Sequence, residues 1–135
     1  MNAQQKTLAQ ACRDASENNT MTFPQLVGAL MEGGFEGYLI DFRRSVATYY
    51  LPSGEALELP THKAVGTIAE AFDETAIKAA IREAQLLVPG YTYRGFCAKV
   101  IAGGCAGYMV SFLGRRAVYF GRTGETHVEM FPQAA

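Results

Sequence analysis

The sequence predicts an α+β fold: two tandem helix-plus-antiparallel-β-meander repeats forming one domain over residues 1–135. Three observations carry that expectation. The corner Gly33-Gly34-Phe35-Glu36-Gly37-Tyr38 recurs seventy residues later as Gly103-Gly104-Cys105-Ala106-Gly107-Tyr108. Before each corner, apolar residues recur at three- and four-residue spacing, as on a helix with one buried face. After each corner the spacing drops to two, as on a strand, and short turn signals follow, which suit antiparallel neighbours.

The first helix is expected from about Gln4 to Glu17, on the thin stripe Leu8, Ala11, Cys12 and Ala15. Glu17-Asn18-Asn19-Thr20 is turn chemistry and ends it. Thr22 caps a second helix to about Gly33, Pro24 suits its first turn, and Phe23, Leu26, Val27, Leu30 and Met31 form its stripe. Gly33 or Gly34 closes it in the left-handed conformation. Three strands follow, Tyr38–Phe42, Val46–Leu51 and Glu55–Leu59, separated by Arg43-Arg44-Ser45 and Pro52-Ser53-Gly54.

In the join, Val65 to Ala69 reads as either a short strand or a helical turn. Asp73 caps a helix to about Leu87, with Ile77, Ile81 and Ala84 inward, and Pro89-Gly90 stops it. The second unit starts at Thr92. Tyr93, Phe96, Cys97, Val100 and Ile101 repeat the helical stripe, and Tyr108, Val110 and Phe112 repeat the strand face.

Residues 22–55 align with 92–125 without a gap, and ten pairs are identical, which supports an internal duplication over about 22–59 and 92–131. The apolar period slips by one residue after Glu125, where Val128 and Met130 stand as the expected inward positions of the last strand. The glycine corners follow a helix and precede a strand, the reverse of a phosphate-binding loop, and are read as structural caps.

Twelve basic side chains against thirteen acidic ones give a net charge of −1, so nothing draws the whole chain to nucleic acid, and nucleic-acid binding is not expected. No apolar run approaches a membrane span, and no membrane association is expected. Three cysteines without paired spacing and an N-terminus lacking a signal-like apolar run fit a reducing cytoplasm.

Four groups of residues are candidates for chemistry. Tyr38, Tyr49, Tyr108 and Tyr119 combine an apolar body with a hydrogen-bonding tip and are candidates to line a ligand pocket. Arg43, Arg44, Arg115 and Arg116 lie in the first hairpin turn of each unit, converging or lining opposite rims, where guanidinium forks suit an anion. Glu125, His127 and Glu129 alternate along the last strand and are the weak metal-site candidates, against an ordinary solvated strand face; His62 is the only other histidine. Cys97 and Cys105 lack a basic neighbour that would activate a thiol. No catalytic set and no cofactor are expected.

Tyr93-x-x-Phe96-Cys97, then Gly104, Tyr108, Val110, Val118-Tyr119, Gly124-Glu125 and Val128-Glu129-Met130-Phe131-Pro132 form a recognisable pattern. It resembles the YbcV-like family of small bacterial and prophage-associated proteins, a domain of unknown function sometimes labelled "phage envelope protein". The sequence departs from that pattern at Tyr108, where a tryptophan is usual, and at Gln85–Gly90, which replaces a short glutamine-glycine stretch. The resemblance implies an α+β domain and no established activity. The duplicated meander, its many tyrosines and the lack of an assembled catalytic set lead to the expected function, a non-catalytic small-molecule-binding or interaction domain, with an uncovered sheet face or edge as a homodimer surface. The alternatives are a metal-dependent enzyme using His127, Glu125 and Glu129, and anion or nucleic-acid binding through Arg43, Arg44, Arg115 and Arg116.

Overall fold

Each helix begins on a side chain able to satisfy its first free amides. In the computed structural model, which describes residues 1–64 and 66–132, Asn2 with Gln5 and Thr22 with Gln25 form reciprocal capping boxes on α1 (Ala3–Asn18) and α2 (Phe23–Glu32). Asp73 and Thr92 accept from the amides of Ala76 and Gly95 at the starts of α3 (Glu74–Leu86) and α4 (Tyr93–Ala102). Gly34 and Gly104 both take φ 94°, and their amides donate to Met31 and Ile101 carbonyls. The paired glycines thus turn helix into strand, as their sequence order implies.

The strands are β1 (Gly37–Asp41), β2 (Val46–Tyr50), β3 (Ala56–Pro60), β4 (Cys105–Ser111), β5 (Arg116–Gly121) and β6 (Thr126–Met130). They form one six-stranded sheet in the order β3-β2-β1-β4-β5-β6, with every pairing antiparallel. The order helix, helix, strand, strand, strand therefore occurs twice along the chain. At the centre Leu39 faces Met109, while Tyr38 faces Val110 and Ile40 faces Tyr108. A half-turn about the Leu39–Met109 pair exchanges positions seventy residues apart. The flanking pairings follow the same offset: Tyr38 with Tyr49 and Tyr108 with Tyr119, then Ala47 with Leu59 and Ala117 with Glu129.

The helices cover one face of the sheet. Tyr38, Ile40, Ala47, Tyr49, Tyr108, Val110, Ala117 and Tyr119 point into the core beneath them, together with Leu30, Ile77, Val100 and Ile101. The opposite face is uncovered, and Met109 at its centre is 42% exposed.

The register corrects the expectation for the last strand. β6 does not slip: it pairs with β5 as β3 pairs with β2, so Val128 and Met130 lie on the open face, 43% and 53% exposed. His127 and Glu129 take the inward places that Leu57 and Leu59 occupy in the first half. A ladder of backbone hydrogen bonds outweighs the placement of two apolar side chains at an edge. Two helix stripes are also narrower than their spacing suggests. Ala11 and Met31 are exposed, and Phe23 is 41% exposed.

In the join, position 65 lies outside the described residues and 66–69 form no regular element. Ile68 is buried, the Ala69 amide donates to the Ile101 carbonyl, and the Asp73 amide donates to the Gly103 carbonyl. This strap lies over the second glycine corner, and a Cβ on Gly104 would stand 2.1 Å from the Ala71 oxygen.

Candidate functional site

Strand alternation and register set two rows of side chains on the covered face. One runs Leu57, Tyr49, Tyr38, Val110, Ala117, Glu129; the other runs Leu59, Ala47, Ile40, Tyr108, Tyr119, His127. Each row carries two adjacent tyrosines and one alanine. The ring pairs Tyr38–Tyr49 and Tyr108–Tyr119 lie 5.6 and 5.1 Å apart in tilted contact, and Tyr38 meets Tyr108 edge-on at 6.4 Å. Such pairs add about 0.5–1.5 kcal/mol each beyond the area they bury. Because Ala47 and Ala117 have almost no side chain, space remains between sheet and helices.

That space is a cavity of about 740 Å³. Tyr38, Tyr49, Tyr108 and Tyr119 floor it, Leu26 and Phe96 overhang it, and the ends of α1 and α3 form its sides. Its size falls in the range that holds a drug-sized ligand. The four tyrosines singled out in the sequence are thus brought together at one place.

The two halves line the cavity differently. Tyr93, at the start of α4, turns inward, stacks on Phe96 at 6.2 Å and shares a 2.7 Å hydrogen bond with the Tyr108 hydroxyl. Phe23, seventy residues earlier, is 41% exposed at the edge of the cavity and packs edge-on against Phe131 at 5.6 Å.

Desolvation holds these phenols neutral. Burial pushes Tyr38, Tyr93 and Tyr108 well above the ordinary tyrosine value, raises Tyr49 and Tyr119, and lifts Tyr91 to about 12. The thiols behave alike: burial lifts Cys97 to about 12 and Cys105 to about 11, so neither is a thiolate nucleophile.

Two carboxylate–imidazole contacts flank the cavity. Glu17, on its wall, accepts from the His62 backbone amide at 2.7 Å, lies 2.7 Å from His62 Nδ1, and faces Arg94 Nε at 3.7 Å. At the other side His127 is buried, with Nδ1 2.9 Å from Glu74 and Nε2 2.9 Å from Glu129, whose other oxygen accepts from Gln85. The exposed strand face expected at His127 is therefore an inward position, because the register turns it toward α3. Glu125 does not join it; its carboxylate accepts from the Thr123 hydroxyl in the β5–β6 turn. Both ring nitrogens of His127 are engaged by carboxylates, and no group of three or more candidate metal ligands occurs among the described residues.

The arginines are not brought together. β1 and β4 run antiparallel, so the turn holding Arg43 and Arg44 and the turn holding Arg115 and Arg116 lie at opposite ends of the central pair. Arg44 pairs with Glu58, and Arg116 Nε donates to the Gly114 carbonyl at 3.1 Å. They stand at opposite ends of the central strand pair and outside the cavity lining.

Fold and cavity together define a class: an α+β domain in which helices roof a tyrosine-floored pocket on one antiparallel sheet. Residues 11–129 match the family described as "Protein of unknown function (DUF1398)", and the chain belongs to that family. No curated protein matches it. Among the described residues no helix is long and apolar enough to cross a membrane.

Proposed function

We propose that residues 1–135 form a single, non-catalytic domain that binds a small molecule between the sheet and the helices. The observation that carries this reading is the 740 Å³ cavity floored by four neutral tyrosines. Burial pushes the thiol of Cys12, the cysteine of the lining, above its ordinary value, and no group of three or more candidate metal ligands occurs among the described residues, which favours binding over turnover. Its test is a thermal-shift and NMR screen of the wild type beside Ala117→Phe, which places a ring in the cavity. A true ligand raises the melting temperature of the wild type, by about 2.7 kcal/mol of stabilisation at a hundred times its Kd, and loses affinity for the variant. Binders indifferent to Ala117→Phe, or none at all, would overturn the proposal.

Further parts of the reading belong with it. The common offset of both hairpin registers supports an internal duplication, with the cavity between the two units. The buried, unpaired cysteines support residence in a bacterial cytoplasm. The glycine and aromatic motif supports a YbcV-like, prophage-associated relationship.

A second reading is a homodimer through the open face. Leu39, Met109, Val118 and Val128 lie side by side across four strands there, and monomers rarely leave such a patch uncovered. Sedimentation velocity tests it: a dimer that Met109→Lys dissociates supports the reading, and a wild-type monomer at every concentration ends it.

A further inference from the structure

We infer that the ligand of this cavity is an uncharged, largely apolar molecule whose carbonyl or hydroxyl oxygens meet the hydroxyls of Tyr38, Tyr49 and Tyr119. The inference rests on the binding reading above and adds the chemical class of what is bound. It comes from sorting the polar groups of the lining into those already committed and those still open.

Every charged side chain of the lining is committed. Glu17 is held by His62 and Arg94, Glu129 by His127 and Gln85, and Arg13 by Asp14 and the Pro60 carbonyl. A charged ligand would give up its hydration on entering and find its counter-charge already shared with a protein partner.

The open groups are hydroxyls: those of Ser16, Thr20 and Tyr91 nearer the helices, and three phenols on the floor. Tyr38, Tyr49 and Tyr119 are 6%, 4% and 7% exposed, and among the described residues no protein group hydrogen-bonds their hydroxyls. Every fully sealed side-chain nitrogen and oxygen has a partner, so these three hydroxyls open onto accessible space, and the accessible space at these rings is the cavity. A phenol hydroxyl donates one hydrogen bond and accepts others, which matches neutral carbonyl and hydroxyl groups. Around them Leu26, Phe96 and Ala117 offer only apolar contact.

Four probes sharing one ring system separate the possibilities: naphthalene, 2-acetylnaphthalene, 2-naphthoate and 2-naphthylmethylammonium, each titrated by NMR and calorimetry. The ketone is expected to bind best, with both ions weaker by about tenfold or more. An ion that binds as tightly as the ketone, at cavity residues, overturns the inference and leaves the binding reading standing. Failure of all four to shift any cavity resonance overturns both. The triple variant Tyr38→Phe/Tyr49→Phe/Tyr119→Phe keeps the rings and removes the hydroxyls. It is expected to reduce ketone affinity about fivefold or more while leaving naphthalene unchanged. Equal loss for both probes, or for neither, removes the hydroxyls from the account.

Discussion

The hydroxyls of Tyr93 and Tyr108 lie 2.7 Å apart and hydrogen-bond each other inside the protein, between the first turn of α4 and the centre of β4. Phe23, at the position seventy residues earlier, has no hydroxyl to offer Tyr38 and packs edge-on against Phe131. The aromatic side chain that starts each of these helices is thus tied to a buried tyrosine in one half and stands at the edge of the cavity in the other.

Tyr93→Phe removes one partner and leaves the Tyr108 hydroxyl buried without it. A loss of about 1–2 kcal/mol in urea unfolding is expected. Tyr49→Phe removes a hydroxyl with no protein partner and should change stability by less than about 0.5 kcal/mol. Equal losses in the two variants would contradict this account of the pair.

Gly34 and Gly104 share φ 94°, yet their surroundings differ. A Cβ on Gly34 meets only the flexible Gln5 amide at 3.2 Å, whereas one on Gly104 meets the Ala71 carbonyl at 2.1 Å. Gly34→Ala should cost about 1–2 kcal/mol, the strain of the left-handed backbone alone. Gly104→Ala should cost about 2 kcal/mol more, because the strap must also shift. Thermal melts of the two variants side by side provide the comparison.

Raised tyrosine values tie stability to alkaline pH. Unfolded phenols ionise near their ordinary value, while burial keeps the folded ones protonated above it. Above about pH 10 the folded state therefore binds more protons than the unfolded state. Stability from these groups is fully present below that pH and is lost as pH rises through the window up to the folded values. Absorbance at the tyrosinate band should rise in one cooperative step that coincides with loss of the far-ultraviolet circular dichroism. Gradual ionisation of all the tyrosines in an intact fold would refute it.

His127 and Glu129 stand where the first half has Leu57 and Leu59. His127→Leu alone strips Glu74 and Glu129 of their shared partner and should cost about 1 kcal/mol or more. Adding Glu129→Leu restores the apolar pattern of the first half and should recover that loss, since the carboxylate left behind, that of Glu74, is exposed to water. A double-mutant cycle in guanidinium measures the coupling directly.

The glycine corners, the helix caps at Thr22, Asp73 and Thr92, and most of β1 to β5 were legible because their causes act within a few residues. A cap binds an amide three positions on, and a strand shows its period over five. The tyrosines were legible as a set of candidates from their side-chain chemistry, while the register of β1 with β2 put Tyr38 beside Tyr49. Glu17 with His62 left no local trace, because 45 positions separate them and only the sheet edge brings them together. The last strand misled for the same reason: local apolar alternation favoured Val128 and Met130, while pairing with β5 selected His127 and Glu129.

By itself, then, the sequence determined the element order and the turns, both of which follow from short-range hydrogen bonding and side-chain period. The tertiary structure decided that β1 and β4 pair at the centre, that the arginine turns part to opposite ends of that pair, and that Ala47 and Ala117 lie beside the tyrosines along a cavity. The reason is register: which side chains meet across a sheet is set by backbone pairing between distant strands, and a difference of one residue there exchanges the buried face for the exposed one.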